Sequence, residues 1–182
     1  AGATVGKLFG IARAMKGGVG TASDKVGTVV VGALVAVNAL GDVRDPETGQ
    51  LLAGARDSAN GRKLVDSAEA LRRGMPMAGF APQHTTIGVV ATNCRLTKPE
   101  AAKVAQLAML GFARALSPPH TGVDGDALFC LSVGLVSADP TTVGLAAAEA
   151  VAHAIARAVK AAASLPGLPA WKDLAAQRTP SP

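Results

Sequence analysis

Three stretches of the chain are apolar at nearly every position, and the first of them is rich in β-branched residues. They cover residues 28–37, 87–92 and 126–133. Strands that are covered on both faces have this continuous pattern, whereas half-exposed strands alternate apolar with polar side chains. We therefore predict three buried strands.

Two long helices follow the second and third of these strands. Residues 97–100 read Thr-Lys-Pro-Glu, a capping box with proline in the first turn, and apolar residues recur after it at helical spacing. The pair Pro118–Pro119 ends this helix. A second helix begins at Asp139–Pro140, where aspartate can cap the first turn.

The other segments are rich in glycine and proline. Within the turn-rich segment 1–24 we predict one short helix over residues 8–15. Residues 41–82 have few apolar runs and are predicted to form an exposed linker, most irregular from about 74 to 84. The tail is also proline-rich, and Trp171 is its candidate anchor.

Buried strands that alternate with long helices indicate an α/β fold in which helices cover a sheet. The length of 182 residues suits a single domain spanning 1–182. The pattern fits either one sheet or two stacked sheets between helices, and periodicity does not decide between them.

Composition excludes several classes of protein. With 49% hydrophobic and 17% charged residues, the chain is too apolar to be disordered. The net charge of +5 suits a nucleic-acid partner, but the basic residues are dispersed and only 3% of residues are aromatic. Because stacking partners are scarce, we expect no nucleic-acid binding.

Cys94 and Cys130 lack the spacing of a metal site, so we expect reduced thiols, no metal and a cytoplasmic location. The apolar stretch 26–41 is shorter than the roughly 20 residues of a membrane helix. We therefore expect a soluble protein with no membrane contact.

Thr85 and Thr86 open the second predicted strand, directly after the irregular segment. Threonine is often only a strand former at such a position. If the chain is cut before Thr85, however, the hydroxyl gains an α-amine as its own base. The pKa of such an amine is about 7.7–8.0, which suits proton transfer near neutral pH.

Other polar residues adjoin the predicted strands. Asp124 and Asp126 precede the third strand and either hold a reacting amine or hydroxyl, or bond local backbone N–H groups. Asn38 follows the first strand and either caps a turn or donates to an oxyanion. Lys7 and Lys16 lie in glycine-rich loops and are candidate anion ligands.

Five motifs occur together in an order that resembles a known family. They are Gly-Ala-Thr-Val-Gly-Lys (2–7), Lys-Gly-Gly-Val-Gly-Thr-Ala-Ser (16–23), Val-Asn-Ala-Leu-Gly (37–41), Thr-Thr-Ile-Gly-Val-Val-Ala-Thr-Asn (85–93) and His-Thr-Gly-Val-Asp-Gly-Asp (120–126). The chain resembles the self-processing peptidases of the L-aminopeptidase/D-esterase type, in the branch that includes nylon-oligomer hydrolase. The resemblance runs from residue 2 to about 160 and corresponds to the later half of a family member.

The resemblance implies a four-layer αββα sandwich, as in N-terminal-nucleophile hydrolases. It also implies that the chain is cut between His84 and Thr85. The α fragment then ends at residue 84, after the linker at about 74–84, and the β fragment spans 85–182. The first half of the family's length, absent from this sequence, is the expected partner of both, and the family's assembly into tetramers or larger implies a homo-oligomer.

The resemblance further implies a role for each matching residue. Thr85 is the nucleophile, Asn38 orients the substrate or an oxyanion, and Asp124 and Asp126 form an acidic pair. Lys7 matches the site lysine, with Lys16 as the alternative. No cofactor is implied.

The implied activity is hydrolysis of amide bonds in small peptides, amino-acid amides or linear amide oligomers through an acyl-enzyme. Two alternatives stay open. One is acyl transfer to an amine, as in ornithine acetyltransferases, which share a threonine nucleophile. The other is a catalytically inactive oligomeric binding domain, suggested by His84 at the cleavage position.

Overall fold

The computed structural model of the chain describes residues 2–78 and 84–175. Its strands, in chain order, are β1 (Thr4–Val5), β2 (Met15–Lys16), β3 (Gly18–Val26), β4 (Val29–Val37), β5 (Asp42–Arg44), β6 (Leu51–Ala53), β7 (Ala55–Arg56), β8 (Leu64–Val65), β9 (Ile87–Cys94), β10 (Leu116–Ser117) and β11 (Ala127–Val136). Its α-helices are α1 (Ser67–Arg72), α2 (Lys98–Ala108), α3 (Leu110–Ala115), α4 (Pro140–Ala161) and α5 (Trp171–Ala175).

The main sheet has four strands in the order β11-β9-β4-β3. β11 and β9 are parallel, whereas β9 pairs antiparallel with β4 and β4 pairs antiparallel with β3. Helices α2 and α4 cover one face of this sheet, and valines, alanines and Phe112 fill the interface. The three predicted strands and the mixed α/β class are therefore confirmed.

The opposite face of the main sheet is bare and largely apolar. Eight large apolar side chains on it are 41–72% exposed, beside the polar Thr21, Ser23 and Lys25 of β3; the eight are Val19, Val30, Leu34, Ile87, Phe129, Leu131, Val133 and Leu135. The described residues thus supply one helical layer and one main sheet. The prediction that the three strands are covered on both faces is therefore right for one face only.

The two long helices begin where their capping residues predict. Thr97 and Glu100 form the capping box, and the carboxylate of Asp139 accepts the backbone N–H groups of Thr141 and Thr142. By length and composition α4 would also suit a membrane span, but 72% of its most apolar window is buried inside this fold. It is the core helix of the described structure.

The helix predicted over residues 8–15 is wrong. Only Ile11–Arg13 form a single 3-10 turn, because Met15 and Lys16 pair with β1 instead. The turn-rich segment 1–24 also contains β3, which was not predicted. Gly20 of β3 packs directly against α4. A Cβ at this position would lie 2.0 Å from the Ala154 carbonyl oxygen, so only glycine fits there.

Within the predicted linker 41–82, residues 42–72 are not an exposed linker, since they hold β5–β8 and α1. The reason is the buried carboxylate of Asp42. It accepts the backbone N–H of Ala55 at 2.9 Å and both the N–H and hydroxyl of Ser67 at 2.7 Å, which folds the segment onto itself. Residues 74–78 are exposed, and the rest of the predicted 74–84 linker, except His84, lies outside the described residues.

The ring of Trp171 packs against the core, with the Lys160 ammonium 6.0 Å from its centroid, so this anchor is confirmed. Cys94 and Cys130 are free thiols, one buried and one half-buried.

Candidate active site

The topology of the main sheet brings the predicted site residues to one end of it. β9 runs parallel to β11 and antiparallel to β4, so the starts of β9 and β11 lie beside the end of β4. Thr85 precedes β9, Asp126 precedes β11 and Asn38 follows β4. Residues that are 41 to 88 positions apart in the sequence therefore meet at this edge.

Thr85 lies between β4 and β11. Its backbone N–H donates to the backbone oxygen of Asn38 at 3.0 Å. Its hydroxyl lies over Gly125, since a Cβ placed at Gly125 would be 2.9 Å from Thr85 Oγ1. Thr85 as a whole is half-buried.

Asn38 accepts hydrogen bonds from two residues near the start of the chain. Its Oδ1 accepts the backbone N–H of Thr4 at 3.1 Å and the ammonium of Lys7 at 2.9 Å. Because both partners donate, they determine which end of the amide is the oxygen. The backbone oxygen of Asn38 also accepts from Lys7, at 3.1 Å.

Lys7 is 7% exposed, and burial lowers its pKa to about 8, against a smaller rise from the carboxylate of Asp124. Lys16 is also buried, and its ammonium donates to the Ala3 carbonyl at 2.9 Å. Lys7 therefore lies at the site beside Asn38, and its role there stays a prediction.

The two aspartates accept hydrogen bonds from backbone N–H groups beside two different strands. Asp124 Oδ1 accepts the N–H of Leu40 at 3.3 Å, just after β4. Asp126 Oδ1 accepts the N–H of Thr86 at 2.8 Å, just before β9. Burial, followed by the charge of Asp124, raises the pKa of Asp126.

His84 is 8% exposed, and its Nδ1 has no hydrogen-bond partner within residues 2–78 and 84–175. Burial and then the charge of Lys7 lower its pKa, against the opposing effect of Asp124. The imidazole is therefore neutral at neutral pH. The backbone oxygen of His84 accepts the N–H of Gly125 at 2.9 Å.

Sequence reasoning missed Gly125 and His120 as parts of this site. His120 Nδ1 lies 3.0 Å from Asp126 Oδ2, and its ring stacks on Phe112 at 5.6 Å between centroids. The signal for both was their place in the motif 120–126. A groove of about 570 Å³ between α2 and β11 is partly lined by Asp126. Across the described part of the chain, no cluster of His, Cys, Asp or Glu could hold a metal ion.

The model of peptidase family S58 matches residues 2–170 of the chain. An uncharacterized aminopeptidase of Mycobacterium leprae is 40% identical over 195 residues, which cover 93% of this chain and 51% of that protein. A 6-aminohexanoate-oligomer endohydrolase of a Kocuria species is 28% identical over 159 residues, covering 79% and 44%. The chain spans about half the length of these relatives.

Two solved structures share the fold. A β-aminopeptidase of a Burkholderia species has a TM-score of 0.57 at 21% identity and covers 98% of this chain and 52% of its own. The L-aminopeptidase D-Ala-esterase/amidase of Ochrobactrum anthropi has a TM-score of 0.56 at 20% identity, covering 90% and 45%. The latter is described as a variant of the Ntn-hydrolase fold.

The buried charge of Lys7 predicts a pH dependence of stability. The pKa of Lys7 is about 8 in the folded protein and has its ordinary value of 10.5 when unfolded. Between these values the unfolded chain binds more protons, so the free energy of unfolding rises with pH. Lys7→Met removes that rise. Urea unfolding of both proteins from pH 7 to 10.5 measures it, and parallel pH curves would contradict the assignment.

Proposed function

The chain belongs to peptidase family S58, and from this premise we propose that the full protein is a self-cleaving amidohydrolase with Thr85 as its nucleophile. Thr85 becomes an amino terminus when the bond after His84 is cut. The proposal rests on the contacts that surround that bond. The His84 carbonyl, the Thr85 N–H and the Thr85 hydroxyl each lie against a group from another motif.

In the uncut chain, Thr85 Oγ1 attacks the carbonyl carbon of His84. The C–O bond forms as the C–N bond to Thr85 breaks, and the hydroxyl proton passes to the departing nitrogen. Water then hydrolyses the resulting ester, which leaves a carboxylate on His84 and a free amine and hydroxyl on Thr85.

In the processed enzyme, the amine of Thr85 serves as the base for its own hydroxyl. The backbone oxygen of Asn38 accepts from the Thr85 nitrogen at 3.0 Å and from the Lys7 ammonium at 3.1 Å. A positive charge so close favours the neutral amine, which is the form that accepts a proton. The acyl-enzyme formed on Oγ1 is then released by water.

The remaining site residues orient the substrate and supply negative charge beside the nucleophile. Asn38 orients the substrate or its oxyanion, and Asp124 and Asp126 form the acidic pair beside the nucleophile. We propose small peptides, amino-acid amides or linear amide oligomers as substrates, because relatives are named for aminopeptidase activity and for 6-aminohexanoate oligomers. The homo-oligomer and the cytoplasmic location stay predictions.

The bare face of the main sheet supports a second half of the protein as partner. Eight apolar side chains on it are 41–72% exposed, an unusual expanse for a free surface. Relatives are about twice as long as this chain. We propose that the protein's own N-terminal portion packs on this face and completes the αββα sandwich.

Two neighbouring threonines test the nucleophile. Thr85→Val keeps the shape of the side chain but removes the hydroxyl, so we expect an uncut and inactive protein. Thr86 Oγ1 is buried without a hydrogen-bond partner among the described residues. Thr86→Val therefore leaves cleavage intact and raises stability by about 1 kcal/mol. Intact mass measures cleavage, amide hydrolysis measures activity, and a cut Thr85→Val protein would refute the assignment.

Two equally exposed leucines test the partner of the sheet. Leu131 on the bare face and Leu145 on α4 are each 58% exposed. In the full-length protein, Leu131→Lys places a charge in the proposed interface and costs at least about 2 kcal/mol. Leu145→Lys changes stability by no more than about 0.5 kcal/mol. Thermal unfolding measures both, and equal melting temperatures would argue against the interface.

A further inference from the structure

The turn Asp124–Asp126 contacts the chain on both sides of the bond that is cut. Gly125 donates its N–H to the His84 oxygen at 2.9 Å. The next residue, Asp126, accepts the N–H of Thr86 at 2.8 Å. Three consecutive residues of one segment are therefore held by this single turn, with Thr85 at their centre.

The His84 oxygen is the atom on which negative charge develops when Thr85 Oγ1 attacks. A backbone N–H already aimed at this oxygen stabilises that charge without reorganisation at the moment of reaction. The same glycine lies beneath the attacking group, because a Cβ at Gly125 would be 2.9 Å from Thr85 Oγ1. Only a residue without a side chain lets the hydroxyl and the carbonyl share this place.

The two aspartates hold Gly125 in position from either side. Asp124 Oδ2 accepts the N–H of Thr121 at 3.0 Å and the Thr121 hydroxyl at 2.5 Å, and its Oδ1 accepts from Leu40. Asp126 Oδ2 lies 3.0 Å from the Nδ1 of His120. The carboxylate of Asp126 is 3% exposed, so its bonds are little screened by water.

We propose that the N–H of Gly125 is the oxyanion donor for self-cleavage, and that Asp124 and Asp126 are positioning residues for it. This inference rests on the self-cleavage proposed above. Gly125 is not consumed: it holds the His84 oxygen while the bond to Thr85 Oγ1 forms, while the bond to the Thr85 nitrogen breaks, and while water opens the ester.

Replacing single backbone amides by esters in the full-length chain tests the donor. Glycolic acid at position 125 removes the N–H that meets the His84 oxygen. Lactic acid at position 127 is the matched control, because Ala127 donates to the Thr86 oxygen at 3.1 Å in the same parallel ladder. We expect the ester at 125 to slow cleavage by about 10²–10³-fold. The ester at 127 should slow it less than about tenfold.

Intact mass over time measures the cleavage. Equal slowing by the two esters, or wild-type cleavage by the ester at 125, would overturn the role of Gly125 while leaving self-cleavage established. A wild-type protein that stays uncut would instead refute the proposed function itself, so the two failures are distinguishable.

Two glycine variants test the close approach to Thr85. Gly125→Ala keeps the N–H but pushes on Thr85 Oγ1, and we expect cleavage to slow by about 10²-fold. Gly122→Ala is its control, since a Cβ there would meet nothing within 4 Å. Equal rates for the two variants would contradict the placement of the hydroxyl over Gly125.

Asp126→Asn separates positioning from charge. The amide oxygen still accepts the N–H of Thr86, so a positioning role predicts that Asp126→Asn keeps most of the cleavage rate that Asp126→Ala loses. Equal loss in both variants would show that the carboxylate charge itself is needed, and would overturn this part of the inference.

Discussion

The parallel pairing of β9 with β11 is the constraint on which the site depends. It places the starts of both strands side by side, and the antiparallel pairing of β9 with β4 adds the end of β4. The hydrogen bond from Gly125 to the His84 oxygen continues the β9–β11 ladder past the strands themselves. An ordinary element of sheet structure thus surrounds the His84–Thr85 bond, where we propose self-cleavage.

A second constraint is the burial of charge at this edge. The ammonium of Lys7 is desolvated and donates to both oxygens of Asn38, which also accepts from the Thr85 nitrogen. The carboxylates of Asp124 and Asp126 lie across the same site. Because buried charges require close partners, these contacts hold the charged groups in place relative to one another.

The sequence pattern predicted those helices and strands that are determined by neighbouring residues. Capping residues such as Thr97 and Asp139 marked the helix starts, and continuous apolar runs marked three strands. Pairing over long distances was not visible: β2 bonds to β1 in place of a helix, and Asp42 gathers residues 55 and 67 around itself. At the candidate site, the motifs selected side chains that the structure brings together, but the N–H of Gly125 is backbone and carries no residue-type signal.

The contact of α4 with β3 limits how such a protein can change. At Gly20 the helix carbonyl of Ala154 occupies the space where any side chain would begin, so backbone touches backbone across this layer. The distance between β3 and α4 at this point therefore cannot be shortened. An engineer who wishes to alter the surroundings of the His84–Thr85 bond therefore has to work through the loops at the strand ends, because backbone contact at Gly20 fixes the spacing between β3 and α4.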